Sequence, residues 1–322
     1  MRIALEDAGA GAAAAETAVV FACDADYAPF AAFAAAQIAR LSPGRGFDIV
    51  IASMEGLALP ASLGWAGIRT CRIETAGAFA GLNLDRRRTE SAYLRLALPQ
   101  ALAGDYRRLL YLDADVYVQG GDIAGLSSLD IGGRPLAAVR DNSQWRTPGR
   151  RPEQFRRLGL PGARYFNSGV MLIDVPAWRA ARLTERCLDF AAEHQGRMIG
   201  HDQNLINCVL QGGWAELGPV WNWQYTWASR FFEAMVGANI VHFIGPRKPW
   251  RHTGGELPLK FRRAYRAFLA EHYPGLEPIA GDGVLPQANR WFLRKSLAKH
   301  LIATGPMCAY LDRFDGELAV VL

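Results

Sequence analysis

Residues 108–118 form an apolar run that contains two carboxylates, Asp113 and Asp115, one residue apart. Apolar residues on both sides of the pair are typical of a strand buried on both faces, where an unpaired carboxylate is costly. Residues two apart in a strand point to the same face, so both acids can reach one hard cation if the chain bends out of the sheet there. The alternative is a strand end whose two acids are only solvated.

Short apolar runs alternate with helical segments along the first two thirds of the chain. Strands are predicted at residues 18–22, 47–52, 68–73, 108–118, 136–139 and 165–174. Helices are predicted at residues 31–41, 89–98, 177–194 and 201–210. This alternation predicts an α/β domain with a mainly parallel sheet flanked by helices, whose ligands bind beyond the carboxyl ends of the strands. Asp24, Asp26 and the central carboxylate pair all fall at such ends.

Composition limits the class of protein. Half of the 322 residues are hydrophobic, so the chain can bury an ample core, and the net charge of +5 selects no class of partner by itself. The five cysteines include no CxxC, which argues against a disulfide framework or a zinc cluster and favours a reducing compartment. No run approaches the roughly 20 apolar residues of a membrane-spanning helix. Glu6 and Asp7 interrupt the apolar core that a signal peptide needs, so residues 1–16 are predicted to be an N-terminal extension.

Residues 256–322 are predicted to be a small helical and basic C-terminal extension, with helices near 258–272 and 288–303. No acidic residue lies between Asp282 and Asp312. The second helix has a narrow apolar stripe that consists of Leu293, Leu297 and Leu301. Packing on the main domain and peripheral contact with a membrane through residues 288–303 both stay open.

A second informative stretch covers residues 240–250. An apolar strand delivers His242, and glycine and prolines then turn the chain so that Lys248 can fold back toward the same place. A histidine in an apolar strand is either a satisfied core residue or, where a carboxylate pair needs a cation, a third metal ligand.

Two other segments each allow two interpretations. Residues 142–164, rich in Arg, Pro and Gly, are either a mobile loop over the site or a plain connector. Four tryptophans within residues 214–227 indicate core or a wall between layers rather than a sugar platform. Stacking of one of these rings on a sugar stays open.

Two acids, a histidine, an adjacent lysine and glycine-rich turns suit a divalent cation that bridges the two phosphates of a nucleotide diphosphate. No Gly-x-x-x-x-Gly-Lys-Ser/Thr motif is present, so a P-loop hydrolase is disfavoured. If the diphosphate leaves a sugar, the metal neutralises the departing charge, and the protein must stabilise an oxocarbenium-like sugar.

Six short blocks of the sequence carry a resemblance to a known family: residues 21–27, 93–96, 110–115, 165–170, 202–203 and 242–250. In order and spacing they resemble the retaining glycosyltransferases of family 8, which include bacterial lipopolysaccharide galactosyl- and glucosyltransferases and glycogenin. The resemblance covers residues 17–255, the predicted catalytic domain. It implies a GT-A fold, a UDP-sugar donor, a manganese or magnesium ion and retention of the anomeric configuration. The implied reaction moves galactose or glucose to a saccharide acceptor, such as lipopolysaccharide or another surface glycan.

The resemblance also assigns expected roles to individual residues. The metal ligands correspond to Asp113, Asp115 and His242, and the diphosphate contacts to Gly245 and Lys248. The nucleotide site corresponds to Ala22, Asp24, Asp26, Tyr27 and Ala114. The donor-sugar pocket corresponds to Arg95, Asn167, Asp202 and Gln203, and Asp141 stands at a position that touches the acceptor in some members. Asp26 replaces an asparagine of some members, and Arg87 or Arg88 stands where the family has a histidine.

Asp202 is the only carboxylate in its block, so it is predicted to stabilise the positively charged sugar, with a covalent role as nucleophile left open. Gln203 offers a carbonyl oxygen but is intrinsically a poor nucleophile. In this family, front-face attack assisted by the leaving phosphate is the usual alternative to a covalent step. The structural alternative for Asp202 is an N-cap of the helix that follows.

Two other classes of function remain as alternatives. A nucleotidylyltransferase also uses a nucleotide-binding sheet and a metal, but residues 23–27 lack its Gly-rich loop with a basic residue. A non-catalytic sugar-nucleotide-binding protein is favoured only where the metal ligands are broken, and these are intact. The expected partners are therefore a UDP-hexose and a saccharide acceptor, with no nucleic acid. The expected location is the cytoplasm or the inner face of the cytoplasmic membrane.

Overall fold

The computed structural model describes residues 3–7, 12–82, 90–226, 230–251, 257–279 and 288–322. The strands are β1 (Ala4–Asp7), β2 (Thr17–Ala22), β3 (Asp48–Ser53), β4 (Ile68–Glu74), β5 (Arg108–Leu112), β6 (Val116–Val118), β7 (Leu136–Arg140), β8 (Phe166–Asp174), β9 (Ala215–Leu217), β10 (Trp223–Gln224), β11 (Ile240–His242) and β12 (Val320–Val321). The α-helices are α1 (Ala28–Leu41), α2 (Leu94–Ala101), α3 (Ile123–Ser127), α4 (Glu153–Leu158), α5 (Val175–Ala180), α6 (Leu183–Glu193), α7 (Asp202–Leu210), α8 (Arg230–Val236), α9 (Leu259–His272) and α10 (Ala288–Leu311). Short 3-10 helices cover Ala61–Ala66, Glu90–Tyr93 and Pro219–Trp221.

Two sheets organise the described residues. The large sheet has the order β1-β4-β3-β2-β5-β8-β7-β9-β12, and the small sheet has the order β10-β11-β6. In the large sheet β4, β3, β2 and β5 are parallel, as are β7 and β9. β8 is antiparallel to both of its neighbours, and β1 and β12 are antiparallel edge strands. The predicted α/β sheet is confirmed, and its parallel pairing is concentrated in the half that contains β2 to β5.

Helices cover both faces of the large sheet because its central strands are apolar on both faces. In β2, Val19 and Phe21 pack into one hydrophobic cluster, whereas Ala18 and Val20 pack into a second one on the opposite face. The first cluster also contains residues of α1, α9, α10 and the small sheet. The second contains residues of α2, α5, α6 and α7.

The apolar run at residues 108–118 forms two strands rather than the single strand predicted. β5 lies in the centre of the large sheet and β6 lies in the small sheet, so Asp113, Ala114 and Asp115 cross from one to the other. The bend expected at the carboxylate pair is therefore confirmed. It removes two acids from a strand position that is buried on both faces, where each would lack a partner.

Three helical segments differ from their predictions. The helix predicted at residues 177–194 is divided into α5 and α6 by Arg182, whose φ of 49° lies in the left-handed region. Residues 142–164 contain α4, and Gln144 and Trp145 of the same segment are buried, which fits a packed connector. The last predicted helix ended at residue 303, but α10 continues to Leu311.

Residues on both sides of the predicted 17–255 domain join the large sheet. β1 pairs with β4, and β12 pairs with β9. The N-terminal extension and the C-terminal segment each contribute an edge strand in this way. The domain boundaries themselves stay a prediction.

The packed face of α10 is not the apolar stripe predicted from the sequence. Ala303, Met307 and Tyr310 are buried against the rest of the protein. Leu297 and Leu301 of the predicted stripe are 48% and 69% exposed. The stripe therefore points outward. Of the helices that the structure describes, none combines the length and the apolar character needed to cross a membrane.

Candidate metal and donor site

The structure brings the three predicted metal ligands together. Asp113 follows the last residue of β5, and Asp115 precedes Val116, the first residue of β6. β6 pairs with β11 so that His242 lies opposite Val116. One ligand atom from each of Asp113, Asp115 and His242 lies within 4.8 Å of the others. Nε2 of His242 is 3.1 Å from Oδ1 of Asp115 and 3.6 Å from Oδ2 of Asp113.

Lys248 folds back onto this cluster, as the sequence predicted. Its Nζ donates hydrogen bonds to Oδ2 of Asp115 and to the carbonyl oxygen of Phe243. Gly245 has a φ of 77°, which glycine adopts without strain, so the chain can turn sharply after β11. Burial works to raise the pKa of Asp115, but the charge of Lys248 and the His242 ring hold that pKa well below its usual range. Asp115 is thus kept ionised.

Two residues without a predicted role shape the position of Asp113 and His242. The hydroxyl of Tyr111 donates a 2.7 Å hydrogen bond to Oδ1 of Asp113. Gly169 in β8 accepts a hydrogen bond from the backbone N–H of Asp113, and it leaves room for the imidazole of His242. A Cβ atom at residue 169 would lie 2.2 Å from Cε1 of His242. Tyr111 stands two residues before Asp113, so same-face spacing was the signal that could have found it.

Arg95 connects the metal-ligand cluster to Asp202. One of its terminal nitrogens is 2.9 Å from Oδ1 of Asp113, and its Nε is 3.0 Å from Oδ2 of Asp202. The other terminal nitrogen donates to the hydroxyl and the carbonyl oxygen of Ser168. Burial tends to lower the pKa of Arg95, but the two aspartates raise it further than burial lowers it. The predicted contact of Arg95 with a donor sugar stays a prediction, because here its partners are the protein's own carboxylates.

Asp202 does not have the geometry of an N-cap. The N-cap of α7 is His201, and Asp202 is the first residue of the helix. The Asp202 carboxylate instead accepts a 3.1 Å hydrogen bond from the Ser168 hydroxyl and faces Arg95. The carboxylate is therefore turned toward the candidate site.

Gln203 lies next to Asp202 and is held at both ends of its amide. Its Oε1 accepts hydrogen bonds from the side-chain amide of Asn167 and the backbone N–H of Ser168. Its Nε2 donates to Oδ2 of Asp141 at 3.4 Å and to the hydroxyl of Tyr165 at 3.3 Å. The structure thus gathers the predicted residues Asn167, Gln203 and Asp141 into one network, and it adds Ser168 and Tyr165, which had no predicted role.

The residues predicted for the nucleotide lie around the carboxyl end of β2. Ala22 ends this strand, and Oδ1 of Asp24 accepts a hydrogen bond from the backbone N–H of Tyr27. The Tyr27 ring contacts Trp250 at a centroid distance of 6.4 Å and lies under the guanidinium of Arg251. The chain that follows Lys248 therefore covers this end of β2. Asp26 is exposed, and Ala114 is buried between the two aspartates of the cluster.

Three of the four tryptophans of residues 214–227 belong to the core, as predicted. Trp214, Trp221 and Trp223 are fully buried, so none of them offers a ring face to a sugar. Trp227, Arg87 and Arg88 lie outside the described residues, so the predicted replacement of the family's histidine by one of these two arginines stays a prediction.

Comparison with known proteins agrees with this geometry. Residues 18–254 match the family model described as glycosyl transferase family 8, which is well over half of the chain. The chain belongs to this family. The resemblance inferred from six short blocks is therefore confirmed.

Curated relatives within the family match only part of the chain. General stress protein A of Bacillus subtilis is 33% identical over 178 residues, which cover 50% of this chain and 59% of that protein. Lipopolysaccharide 1,2-glucosyltransferase of Escherichia coli is 31% identical, with 50% of this chain and 49% of that protein covered. Lipopolysaccharide 1,3-galactosyltransferase of Salmonella typhimurium is 26% identical, with 64% and 63% covered. The matched region spans less than two thirds of each of these relatives.

Solved structures support the fold. The galactosyltransferase LgtC, solved with donor and acceptor sugar analogues, superimposes with a TM-score of 0.64 at 22% identity, and the match covers 85% of this chain and 99% of that one. The glycosyltransferase GlyE of Streptococcus pneumoniae superimposes with a TM-score of 0.54 at 21% identity, covering 80% and 63%. At these identities the likeness shows a shared fold.

The space that Gly169 leaves for His242 generates a prediction. We expect Gly169→Ala to lower the affinity for Mn²⁺ by tenfold or more, because the new Cβ must push the imidazole away from Asp113 and Asp115. Mn²⁺ titration followed by electron paramagnetic resonance of the free ion measures this affinity. Gly64→Ala is the matched control, since a Cβ at residue 64 meets no atom within 4 Å. Unchanged Mn²⁺ affinity in Gly169→Ala would contradict the assignment of His242 as a ligand.

Proposed function

We propose that this chain is a retaining hexosyltransferase that moves galactose or glucose from a UDP-sugar to a saccharide acceptor, with a divalent cation, Mn²⁺ or Mg²⁺, at Asp113, Asp115 and His242. The observation that carries the proposal is the convergence of these three ligands with Lys248 at the carboxyl end of the central strand. Membership of glycosyl transferase family 8 supports the reaction class.

The donor set fits a divalent cation. Oδ1 of Asp115 is buried, and apart from Nε2 of His242 at 3.1 Å it has no hydrogen-bond donor among the described residues. Carboxylates suit Mn²⁺ and Mg²⁺, and a neutral imidazole is a common metal ligand in proteins. When bound, the cation would supply positive charge to the diphosphate that leaves the sugar. Lys248 would add a second positive charge to the same group from its position against Asp115.

Asp202 is the residue proposed to stabilise the sugar as positive charge develops on it. Ser168 and Arg95 fix its carboxylate, so little reorganisation is needed during the reaction. Oε1 of Gln203 already accepts two hydrogen bonds, which makes it a still weaker nucleophile than a free amide. Nε2 of Gln203 instead orients Asp141, the residue proposed to contact the acceptor. This arrangement favours front-face attack over a covalent step at Gln203.

The class of acceptor is proposed from the relatives. Two of them are named as lipopolysaccharide glucosyl- and galactosyltransferases, which favours lipopolysaccharide or another surface glycan. A location in the cytoplasm or at the inner face of the cytoplasmic membrane fits an acceptor of this class.

The outward face of α10 supports contact with an anionic membrane surface. Trp291, Leu301 and Ile302 are 61%, 69% and 81% exposed. The same helix carries exposed basic residues, namely Arg294, Lys295 and Lys299. Apolar rings and chains beside cations suit the boundary between lipid headgroups and acyl chains.

The reaction is tested by following UDP release from a panel of UDP-sugars in the presence and absence of Mn²⁺. We expect release from UDP-galactose or UDP-glucose, loss of release with a chelator, and no metal-dependent release by Asp115→Ala, because the remaining ligands hold the cation too weakly. Asp189→Ala is the control, since Asp189 is exposed on α6. Wild-type turnover by Asp115→Ala with metal still required would refute the site.

The role of Asp202 is tested with Asp202→Asn, which keeps the shape of the side chain and removes its charge. We expect kcat to fall by about 10²-fold or more while UDP-sugar affinity stays within a few-fold of wild type, because the charge is needed chiefly in the transition state. Stopped assays give kcat and calorimetry gives the affinity. Asp189→Asn serves as the control. Near-normal turnover by Asp202→Asn would leave Asp202 with a structural role only.

Membrane contact is tested by sedimentation with phosphatidylglycerol and phosphatidylcholine vesicles. We expect binding to the anionic vesicles that weakens as salt is raised. Replacing Arg294, Lys295 and Lys299 with Gln should lower the partition by about 100-fold, at about 1 kcal/mol per basic residue. Replacing the exposed Arg72, Arg156 and Arg179 removes the same charge elsewhere and should have a small effect. Equal binding to both vesicles, or to neither, would reject contact through α10.

A further inference from the structure

A chain of side-chain amides leads from the metal-ligand cluster to the reaction centre. Nδ1 of His242 is 3.0 Å from Oδ1 of Asn222. Nδ2 of Asn222 is 2.9 Å from Oδ1 of Asn167, and Nδ2 of Asn167 is 3.1 Å from Oε1 of Gln203. His242 lies in β11 and Asn222 in the turn before β10. Asn167 lies in β8 and Gln203 in α7. Asn222 is fully buried, as are its neighbours in the sequence, Trp221 and Trp223.

Backbone donors fix the orientation of every amide in this chain. An N–H of the main chain can only donate, so the side-chain amide atom that faces it must be the oxygen and not the nitrogen. The N–H of Gly169 faces Oδ1 of Asn167 at 3.1 Å, and the N–H of Ser168 faces Oε1 of Gln203 at 3.2 Å. Since Oδ1 of Asn167 is an acceptor, Asn222 must present its NH₂ group to it.

The same orientation decides which nitrogen of His242 carries a proton. With its NH₂ group turned to Asn167, Asn222 presents its oxygen to Nδ1 of His242. An oxygen at 3.0 Å requires a proton on Nδ1, because two lone pairs at that distance repel each other. Nε2 of His242 lies 3.1 Å from Oδ1 of Asp115, so any proton on Nε2 is the one that a divalent cation would displace, while the proton on Nδ1 stays with Asn222.

We propose that Asn222 is a positioning residue that holds His242 in the tautomer with a proton on Nδ1, so that Nε2 is available to a divalent cation. A hydrogen-bond partner on the ring nitrogen that does not bind the metal fixes the orientation and the tautomer of a ligating histidine. The loss of such a partner typically lowers metal affinity by 10–100-fold. This inference rests on the metal site of the proposed function. Asn222 gives no sequence signal of its own, since its partners come from β8 and β11.

If Asn222 had only a structural role, the experiments on its variants would give a different result. Any fully buried asparagine needs hydrogen-bond partners, and its loss costs stability whatever those partners do. Asn207 is such a residue: it is equally buried, and its amide bonds only backbone groups, namely the N–H and carbonyl oxygen of Phe166 and the carbonyl oxygen of Gln203. It has no contact with His242, so Asn207→Ala controls for the loss of a buried amide.

The first test measures the tautomer without metal and without activity. Long-range ¹H–¹⁵N spectra of histidine-labelled protein, recorded with chelator at a pH where imidazole is neutral, show which ring nitrogen of His242 carries the proton; His242→Gln assigns the signal. We expect a proton on Nδ1 in wild type and in Asn207→Ala, and a shift toward the other tautomer in Asn222→Ala. An unprotonated Nδ1 in wild type overturns the proposal even if no Asn222 variant folds.

The second test measures Mn²⁺ affinity by electron paramagnetic resonance. Asn222→Ala should weaken binding by 10–100-fold. Asn222→Asp keeps an oxygen opposite Nδ1 and should stay within a few-fold of wild type, as should Asn207→Ala. Wild-type affinity in a folded Asn222→Ala protein overturns the proposal. If the wild type itself binds no Mn²⁺, the proposed metal site fails instead, and the tautomer measurement still decides the role of Asn222.

Discussion

The structure depends on one conflict within the sequence, namely two carboxylates inside an apolar run that must be buried. The chain resolves it by ending β5 in the large sheet and starting β6 in the small one, with Asp113 and Asp115 at the crossing. β6 then needs hydrogen-bond partners, and β11 supplies them in a register that places His242 opposite Val116. The backbone N–H of Phe243 also donates to the carbonyl oxygen of Asp115. The pairing that satisfies the backbone is therefore the pairing that completes the ligand set.

The charges around the crossing are shared rather than paired one to one. Arg95 lies between Asp113 and Asp202, and Lys248 lies on Asp115, so two cations serve three carboxylates. With three carboxylates and two cations, such a cluster carries net negative charge. It can accept a divalent cation on one side and a positively charged sugar on the other. Arg95 spans both sides, which explains why a residue expected to touch the donor sugar is found buried among carboxylates.

The sequence predicted the features that local patterns encode. Strand ends, the spacing of Asp113 and Asp115, the His242 strand and the return of Lys248 all follow from neighbours along the chain. The roles of Asn222 and Gly169 could not be predicted, because these roles depend on which strands pair and on how closely β8 approaches β11. The packed face of α10 could not be predicted for a related reason: the helix has apolar residues on several faces, and only tertiary packing decides that Ala303 and Met307 face the core.

A second buried carboxylate in the same protein shows what a structural solution looks like. Glu216 in β9 is fully buried, and Arg140, Arg313 and Tyr310 together donate to both of its oxygens. Burial tends to raise the pKa of Glu216, and these partners lower it below its usual value. Every acceptor position there is used, which ties the end of α10 to the large sheet. Asp115 is half-buried and lies against Lys248, and apart from the His242 ring its Oδ1 has no donor among the described residues. The contrast with Glu216, whose oxygens are both held by fixed donors, supports the proposal that Asp115 and His242 are ligands of a cation rather than members of a core ion pair.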